Sequence, residues 1–463
     1  MRQTNLVRTQ VATREGFSST LGVIAATLGS AVGLGNIWKF PYVTGENGGA
    51  AFILIYLFCI ALIGLPVMIS EFVIGRRSNS AAVGSLKKLA PGTPWFLTGV
   101  SGTLVAFLIM CYYTSVAGWV YAYIFKALSG SLGTTDPKVS GEAFASFISG
   151  TWSPLIWQWI VLIVTGAVIL AGVKNGIERM TKTLLPILFV LLLICDIRAL
   201  TLPGASKGVA FLFSPDFSKI TGAAILTALG LAFFKLSVGM GVMTTYGSYI
   251  GKNESLIGTG VKVALMDILV SMMAGMAIFP AVFAFGSNPA QGPSLLFITI
   301  PMVFNSMPFG QALLAIFFVL ASIAATGAMI SLFEVPVAYL TEERHWSRKT
   351  ATVVTALAIA LLGSTATLSA SEASLLANFK IFGKGMFDLL GFLTDNIGLP
   401  LTGLALALFA GWKLTSSDVY DEISNGGSLN NRGLIRYYLF ATRLVAPIGI
   451  VIILLSGLGF IKL

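Results

Sequence analysis

Eleven apolar runs of about 20 residues or more follow one another along these 463 residues. A run of that length crosses a bilayer as an α-helix, which satisfies its own backbone polar groups where no water can do so. The runs lie near Phe17–Tyr42, Gly49–Gly75, Trp95–Phe125, Leu155–Val173, Thr183–Leu200, Ile220–Ile250, Gly258–Gly286, Ala312–Leu340, Thr350–Leu368, Phe387–Trp412 and Tyr437–Phe460. With 56% hydrophobic and 10% charged residues, a set of soluble domains is excluded. The net charge of +10 is scattered through short loops and forms no patch that would hold nucleic acid. Arg2, Arg8 and Arg14, then Arg76, Arg77, Lys87 and Lys88, then Lys174, Arg179 and Lys182, then Arg344, Arg348 and Lys349 alternate with loops poorer in basic residues. The N-terminus is therefore expected in the cytoplasm of a multi-pass cell-membrane protein, with Leu463 outside. The basic tail is not a signal peptide, because the apolar segment after it is too long and carries no small-residue cleavage site.

Two of the runs are interrupted. Leu231–Ile250 carries Lys235 and then Ser237-Val-Gly239-Met-Gly241, and Leu28–Asn36 reads LGSAVGLGN. Glycine costs about 1 kcal/mol against alanine inside a helix, and a lysine at bilayer depth about 2.5–3.5 kcal/mol, so neither is there for helix stability. Unwound backbone at that depth survives only buried in protein or lining a polar cavity, and a pair of such interruptions points to the substrate site of a transporter. Freed amides at a half-helix start suit a carboxylate, and freed carbonyls suit a cation. A GxxxG-like packing seam is the competing reading of the first break, but it leaves Asn36 and Lys39 unexplained. Cys59, Cys111 and Cys195 fall inside apolar segments as small buried hydrophobes, and His345 lies in a charged loop, so no histidine relays protons within the membrane. The loops Gly130–Ser153 and Ser287–Pro308 are long and external. The second is too apolar for a solvated loop and is either a surface helix on the bundle or a lid dipping into a vestibule.

The stretch GSAVGLGNIWKFPY, followed by ENGGAAF, SEFVIGR, MCYYTSVAGW, AFFKLSVGMG and ISLFEVPVAYLTEE, resembles the neurotransmitter:sodium symporter family, in its bacterial eleven-helix branch, over essentially the whole chain. The resemblance implies an all-α LeuT-type fold: two inverted five-helix repeats, 17–200 and 220–412, with helices one and six broken, and an extra helix at 437–460. It places a substrate site at Ser30, Ala31, Gly33, Leu34 and Gly35, at Ile109 and Tyr113, at Phe234, Ser237, Met240 and Gly241, and at Ala328 and Leu332. Monoamine carriers of the family have an acid where this chain has Gly33, so the expected substrate brings its own carboxylate: a hydrophobic or aromatic L-amino acid.

The sodium positions depart from the family pattern. The first site corresponds to Ala31, Asn36, Asp267 and Lys235, and an ammonium there repels a cation where an oxygen ligand belongs. The second corresponds to Gly29, Val32, Ala324, Gly327 and Ala328, and neither of the last two has the hydroxyl that the family uses. The expectation is a sodium-independent, proton-coupled carrier without a cofactor, in which a Lys235–Asp267 pair replaces the first ion and releases a proton after substrate leaves. The alternatives are a conventional sodium symporter with Lys235 turned aside and an uncoupled exchanger; a channel would need a continuous polar pore. No HExxH, GxSxG or paired catalytic aspartates suggest an enzyme. By the resemblance, Lys39 takes the place of the family's outer-gate arginine, whose acidic partner position is Gly391, with Asp395 one turn later, and Arg14 and Glu342 match the inner-gate pair; for Lys39–Asp395 interfacial anchoring is at least an equal reading. Glu71 and Glu334 are intramembrane acids of structural role in relatives.

Overall fold

The computed structural model describes residues 16–289 and 295–461. Among these residues there is no β-strand, and nine single helices are long and apolar enough to cross a membrane. They are Ala50–Ser78, Phe96–Leu128, Trp152–Leu170, Val173–Leu200, Leu256–Ala284, Gly310–Glu343, Arg348–Thr367, Met386–Lys413 and Arg432–Gly457. The first span is a bent pair, Thr20–Ala31 and Gly35–Glu46, whose axes differ by 49°. The sixth is Gly222–Lys235 followed, after a non-helical stretch, by Val242–Gly247. Together these make the eleven spans that the apolar runs predict. Span five begins at Val173 rather than Thr183, and span eleven at Arg432 rather than Tyr437. Hydropathy ends a span at its first charges, whereas the helix continues through Lys174, Arg179 and Lys182, the last of which pairs with Glu178 one turn earlier.

Spans three and eight, with 33 and 34 residues, pack along each other at the centre of the bundle. Side chains of spans two, six, ten and eleven pack into one buried apolar cluster, and those of spans three, four, five, seven and eight into another. Lipid tails are as apolar as leucine, so close packing rather than escape from water holds such a bundle together.

Each interruption has a local cause. In span one the helix ends at Ala31, Val32 turns out with φ −85° and ψ 92°, and winding resumes at Gly35 through a wide π-type turn. The break is narrower than Gly29–Gly35 suggests, so Gly29, Ser30 and Ala31 remain helical. In span six Ser237, Gly239 and Gly241 all have positive φ (53°, 79° and 71°). Glycine is required at 239 twice over, because a Cβ there would also lie 2.6 Å from the Leu399 carbonyl oxygen. The freed amides are met by Glu71 of span two, fully buried, whose carboxylate accepts from Gly239 N at 2.7 Å, Thr244 N at 3.0 Å and Thr244 Oγ1 at 2.9 Å.

The two long loops fold onto one end of the bundle. Gly130–Ser153 contains the helix Pro137–Ser149. In 287–308, Leu295, Leu296 and Phe297 are buried and a short helix runs Thr299–Asn305. Phe297 stacks on Phe144 at 4.8 Å and meets Trp119 edge-on at 5.9 Å. The described part of that loop packs on the bundle, and Phe297 lines the vestibule described next.

Candidate functional site

At the level of the two breaks lies a cavity of about 20 Å³ lined by Ser30, Ala31, Gly33, Gly35, Ile109, Tyr113, Phe234, Lys235, Ser237, Met240, Ala328 and Leu332. The breaks are joined across it, since Ser237 Oγ donates to the Ser30 carbonyl at 3.0 Å and accepts from Ser30 Oγ at 2.9 Å. Tyr113 Oη accepts from Leu34 N at 2.9 Å, which leaves the phenolic proton available to an acceptor. Gly33 is confined, because a Cβ there would meet Ala328 Cβ at 2.9 Å and Tyr113 Oη at 3.0 Å. A carboxylate side chain at 33 would fill the space between them. The cavity is large enough for about one water molecule, so admitting an amino acid requires a wall to move. Gly35, Tyr113 and Phe234 line both this cavity and a second, larger space, and the Phe234 ring is the bulky side chain of apolar character between them.

Two residues expected in the cavity are not among its lining. Leu34 lines the larger space instead, because the turn that resumes the helix carries its side chain past the break. Gly241 caps the start of the second half of span six and is enclosed by three elements: a Cβ there would lie 3.1 Å from Ala82 Cβ, 3.3 Å from Val335 Cγ1 of span eight and 3.7 Å from the Gly102 backbone of span three. Its role is to let the chain turn at φ 71°.

Behind the cavity sits a charge pair. Lys235 Nζ is 3.1 Å from Asp267 Oδ2, and both side chains are inaccessible to solvent. Lys235 also donates to Ser271 Oγ and sits over the rings of Phe40 and Tyr56, at 4.6 and 4.8 Å. The Asp267 carboxylate is fully engaged, accepting from Asn36 Nδ2 at 2.7 Å through Oδ1 and from Tyr56 Oη at 3.0 Å through Oδ2. Asn36 Oδ1 in turn accepts from Gly33 N at 3.2 Å. The side-chain oxygens that would ligate a first cation are thus committed to N–H and O–H donors. A Cβ on Gly35 would lie 3.3 Å from the Lys235 Cγ, a tight contact that presses on the lysine stem. Ser271 and Tyr56 went unremarked in the sequence. Ser271 could have been found, four residues after Asp267 on the same helical face, whereas nothing marks Tyr56 within an apolar run.

At the second cation position the helices are in contact. A Cβ built on Gly327 lies 2.8 Å from the Gly29 carbonyl oxygen. Ala328 faces the cavity and Gly33 rather than this contact, and Val32 and Ala324 supply carbonyls without a neighbouring hydroxyl from 327 or 328.

Above Phe234 a vestibule of about 440 Å³ is lined by Trp38, Lys39, Tyr112, Trp119, Phe297, Phe387, Gly391 and Asp395 among others. Lys39 Nζ is 2.8 Å from Asp395 Oδ2, with the side chains 25% and 29% exposed, and lies 4.2 Å over the Phe234 ring. Asp395 is one turn beyond Gly391, so it reaches the lysine that Gly391 cannot pair with. At the opposite end of the bundle, Glu178 of span five accepts from Ser18 N at 2.7 Å and Ser18 Oγ at 2.6 Å, holding the start of span one. Glu334 is held there by Arg348, at 2.6 Å, and Tyr249, at 3.0 Å. Glu342 accepts from Ala81 N at 2.8 Å, and its expected partner Arg14 lies outside the described residues.

This arrangement has counterparts in known proteins. The model of the sodium:neurotransmitter symporter family matches residues 14–142 and 148–458. A Bacillus subtilis protein named uncharacterized sodium-dependent transporter YhdH is 39% identical over 448 residues, covering 96% of this chain and 98% of its own. A Haemophilus influenzae sodium-dependent transporter is 36% identical, with the same coverage of 96% and 98%. The crystal structure of MhsT in complex with L-phenylalanine superposes with a TM-score of 0.88 at 45% identity, covering 96% of this chain and 100% of MhsT. The eleven spans with helices one and six broken are the LeuT-type fold, and the matched proteins are transporters rather than enzymes. The chain belongs to the sodium:neurotransmitter symporter family.

Proposed function

We propose that this transporter carries neutral hydrophobic or aromatic L-amino acids by alternating access, without sodium and coupled to protons, with the Lys235 ammonium standing in for the first ion. MhsT, similar over nearly the whole chain, binds L-phenylalanine, and the apolar lining by Ile109, Phe234, Met240 and Leu332 suits such a side chain. The Leu34–Gly35 turn and the Tyr113 hydroxyl offer donors to the carboxylate, and the carbonyls around Phe234 and Ser237 offer acceptors to the ammonium. The observation that carries the coupling proposal is the buried Lys235–Asp267 pair at 3.1 Å. Substrate binding adds a second carboxylate near Lys235; its departure leaves Asp267 as sole counter-charge, and the pair then hands over a proton. Residues 17–200 and 220–412 form the two repeats and 437–460 the extra helix, in a protein of the cell membrane with a cytoplasmic N-terminus.

Sodium coupling is the competing reading, favoured by the names of the bacterial relatives as sodium-dependent transporters. One experiment separates the two. Amino-acid binding to the purified protein is measured across sodium and pH at constant ionic strength, then uptake into proteoliposomes under an imposed pH gradient. Binding unchanged by sodium, with accumulation driven by the proton gradient alone, is the expected result. Binding that requires sodium overturns the proposal; sodium-free binding with no proton-driven accumulation removes the proton half and leaves exchange.

A further inference from the structure

Between spans four and nine an apolar groove of about 660 Å³ opens on the outside of the bundle, walled by Leu162, Gly166 and Leu170 on one side and Val353, Ala356 and Ala360 on the other. At one end Trp159 Nε1 donates to Ser364 Oγ at 3.3 Å, and at the other Arg348 Nε donates to the Ile169 carbonyl at 2.8 Å and ties the two helices together beneath the mouth. From Thr352 to Ser364 span nine rises about 18 Å at 1.5 Å per residue, close to the ~15 Å of hydrocarbon in one leaflet. The groove therefore follows most of the length of span nine, Arg348–Thr367, a length of the order of one extended acyl chain. Small residues on both walls keep it open where larger ones would close it.

Its mouth is cationic. Lys349 precedes Val353, Ala356 and Ala360 by four, seven and eleven residues on one helix, spacings that place it on the stripe lining the groove. Lys174 lies just beyond the end of span four, past the turn at Gly172 and at the start of span five, so it stands at the same end of the bundle as Leu170. Both lysines are exposed, and neither pairs with an acid among the described residues. Basic groups at the surface end of an interhelical groove recognise an anionic headgroup, and the cytoplasmic leaflet supplies such lipids. We propose that this groove is a binding site for one anionic phospholipid, its acyl chain between spans four and nine and its phosphate on Lys349 and Lys174. The choice of leaflet rests on the cytoplasmic N-terminus proposed above; the groove, its length and its charge do not.

The test is native mass spectrometry and thermal melting of the purified full chain in detergent with phosphatidylglycerol or phosphatidylcholine. The wild type is expected to retain one phosphatidylglycerol under activation that strips phosphatidylcholine, and to melt higher with the former. Lys349→Gln combined with Lys174→Gln, both on the exposed surface, should abolish the difference between the lipids. Ala360→Phe should fill the groove and release the lipid. Equal retention of the two lipids by the wild type, or a preference that survives the double lysine variant, overturns the proposal. So does a dimer that Ala360→Phe disperses with no lipid retained, which would make the groove a contact between copies. No transport is measured, so failure of the proton-coupling reading leaves these outcomes untouched. Labelling that placed Arg348 on the external face would reassign the leaflet without altering binding in micelles.

Discussion

Lys235 is the residue on which the chemistry turns. A lysine buried with no solvent contact is tolerated because Asp267, Ser271 and two aromatic faces surround it, and removing one partner of such a pair costs about 3–5 kcal/mol by stranding the other charge. Lys235→Thr should therefore lower the melting temperature and abolish amino-acid binding in sodium-free buffer. Weak sodium-dependent binding should return, because the threonine hydroxyl frees Asp267 to ligate a cation; binding titrations with and without sodium check both. Tyr113→Phe acts on the substrate instead. Its hydroxyl meets Leu34 N at 2.9 Å, and a hydrogen bond to a charged group is worth about 1.5–3 kcal/mol. Affinity should fall roughly ten- to a hundredfold in a scintillation proximity assay, with the decarboxylated amine of the same substrate remaining a poor ligand of both forms. Tight binding of amines alone would contradict the substrate assignment.

At the scale of the elements, the two broken spans were legible because their residue choices conflict with a continuous helix: three positive-φ positions in span six are Ser237, Gly239 and Gly241. Their partners were not. That Glu71 holds the loosened stretch of span six depends on span two lying beside it, and that Gly327 sits against Gly29 O depends on how closely spans one and eight approach. The closeness makes a prediction. Adding the missing hydroxyl by Gly327→Thr should not create a sodium site, because the new Cβ would stand 2.8 Å from the oxygen it is meant to assist. The variant should melt several degrees lower and show no gain in sodium dependence, read by thermal shift across a sodium series. A sodium-dependent rise in melting temperature would show that spans one and eight separate to accept the ion.

Across the whole molecule, the vestibule of about 440 Å³ on one side of Phe234 is matched on the other by the Glu178–Ser18 and Glu334–Arg348 contacts that tie spans one, five, eight and nine together. The Lys39–Asp395 pair closes the wide side across spans one and ten, but a partly exposed ion pair contributes only about 0–1 kcal/mol. Asp395→Asn should accordingly raise the substrate dissociation rate by a few-fold at most, measured by release of prebound radiolabelled amino acid. An unchanged rate would leave Lys39 as an interfacial anchor. By itself the sequence determined the membrane environment, the number of spans, the two breaks and the residue types around the cavity, because hydropathy and helix-breaking act locally along the chain. Only the tertiary structure decided that Leu34 and Gly241 stand aside from the cavity, that Tyr56 and Ser271 join the Lys235–Asp267 pair, and that no room remains between Gly29 and Gly327 for a side chain. Those outcomes depend on the rotation and approach of packed helices, which hydropathy does not encode.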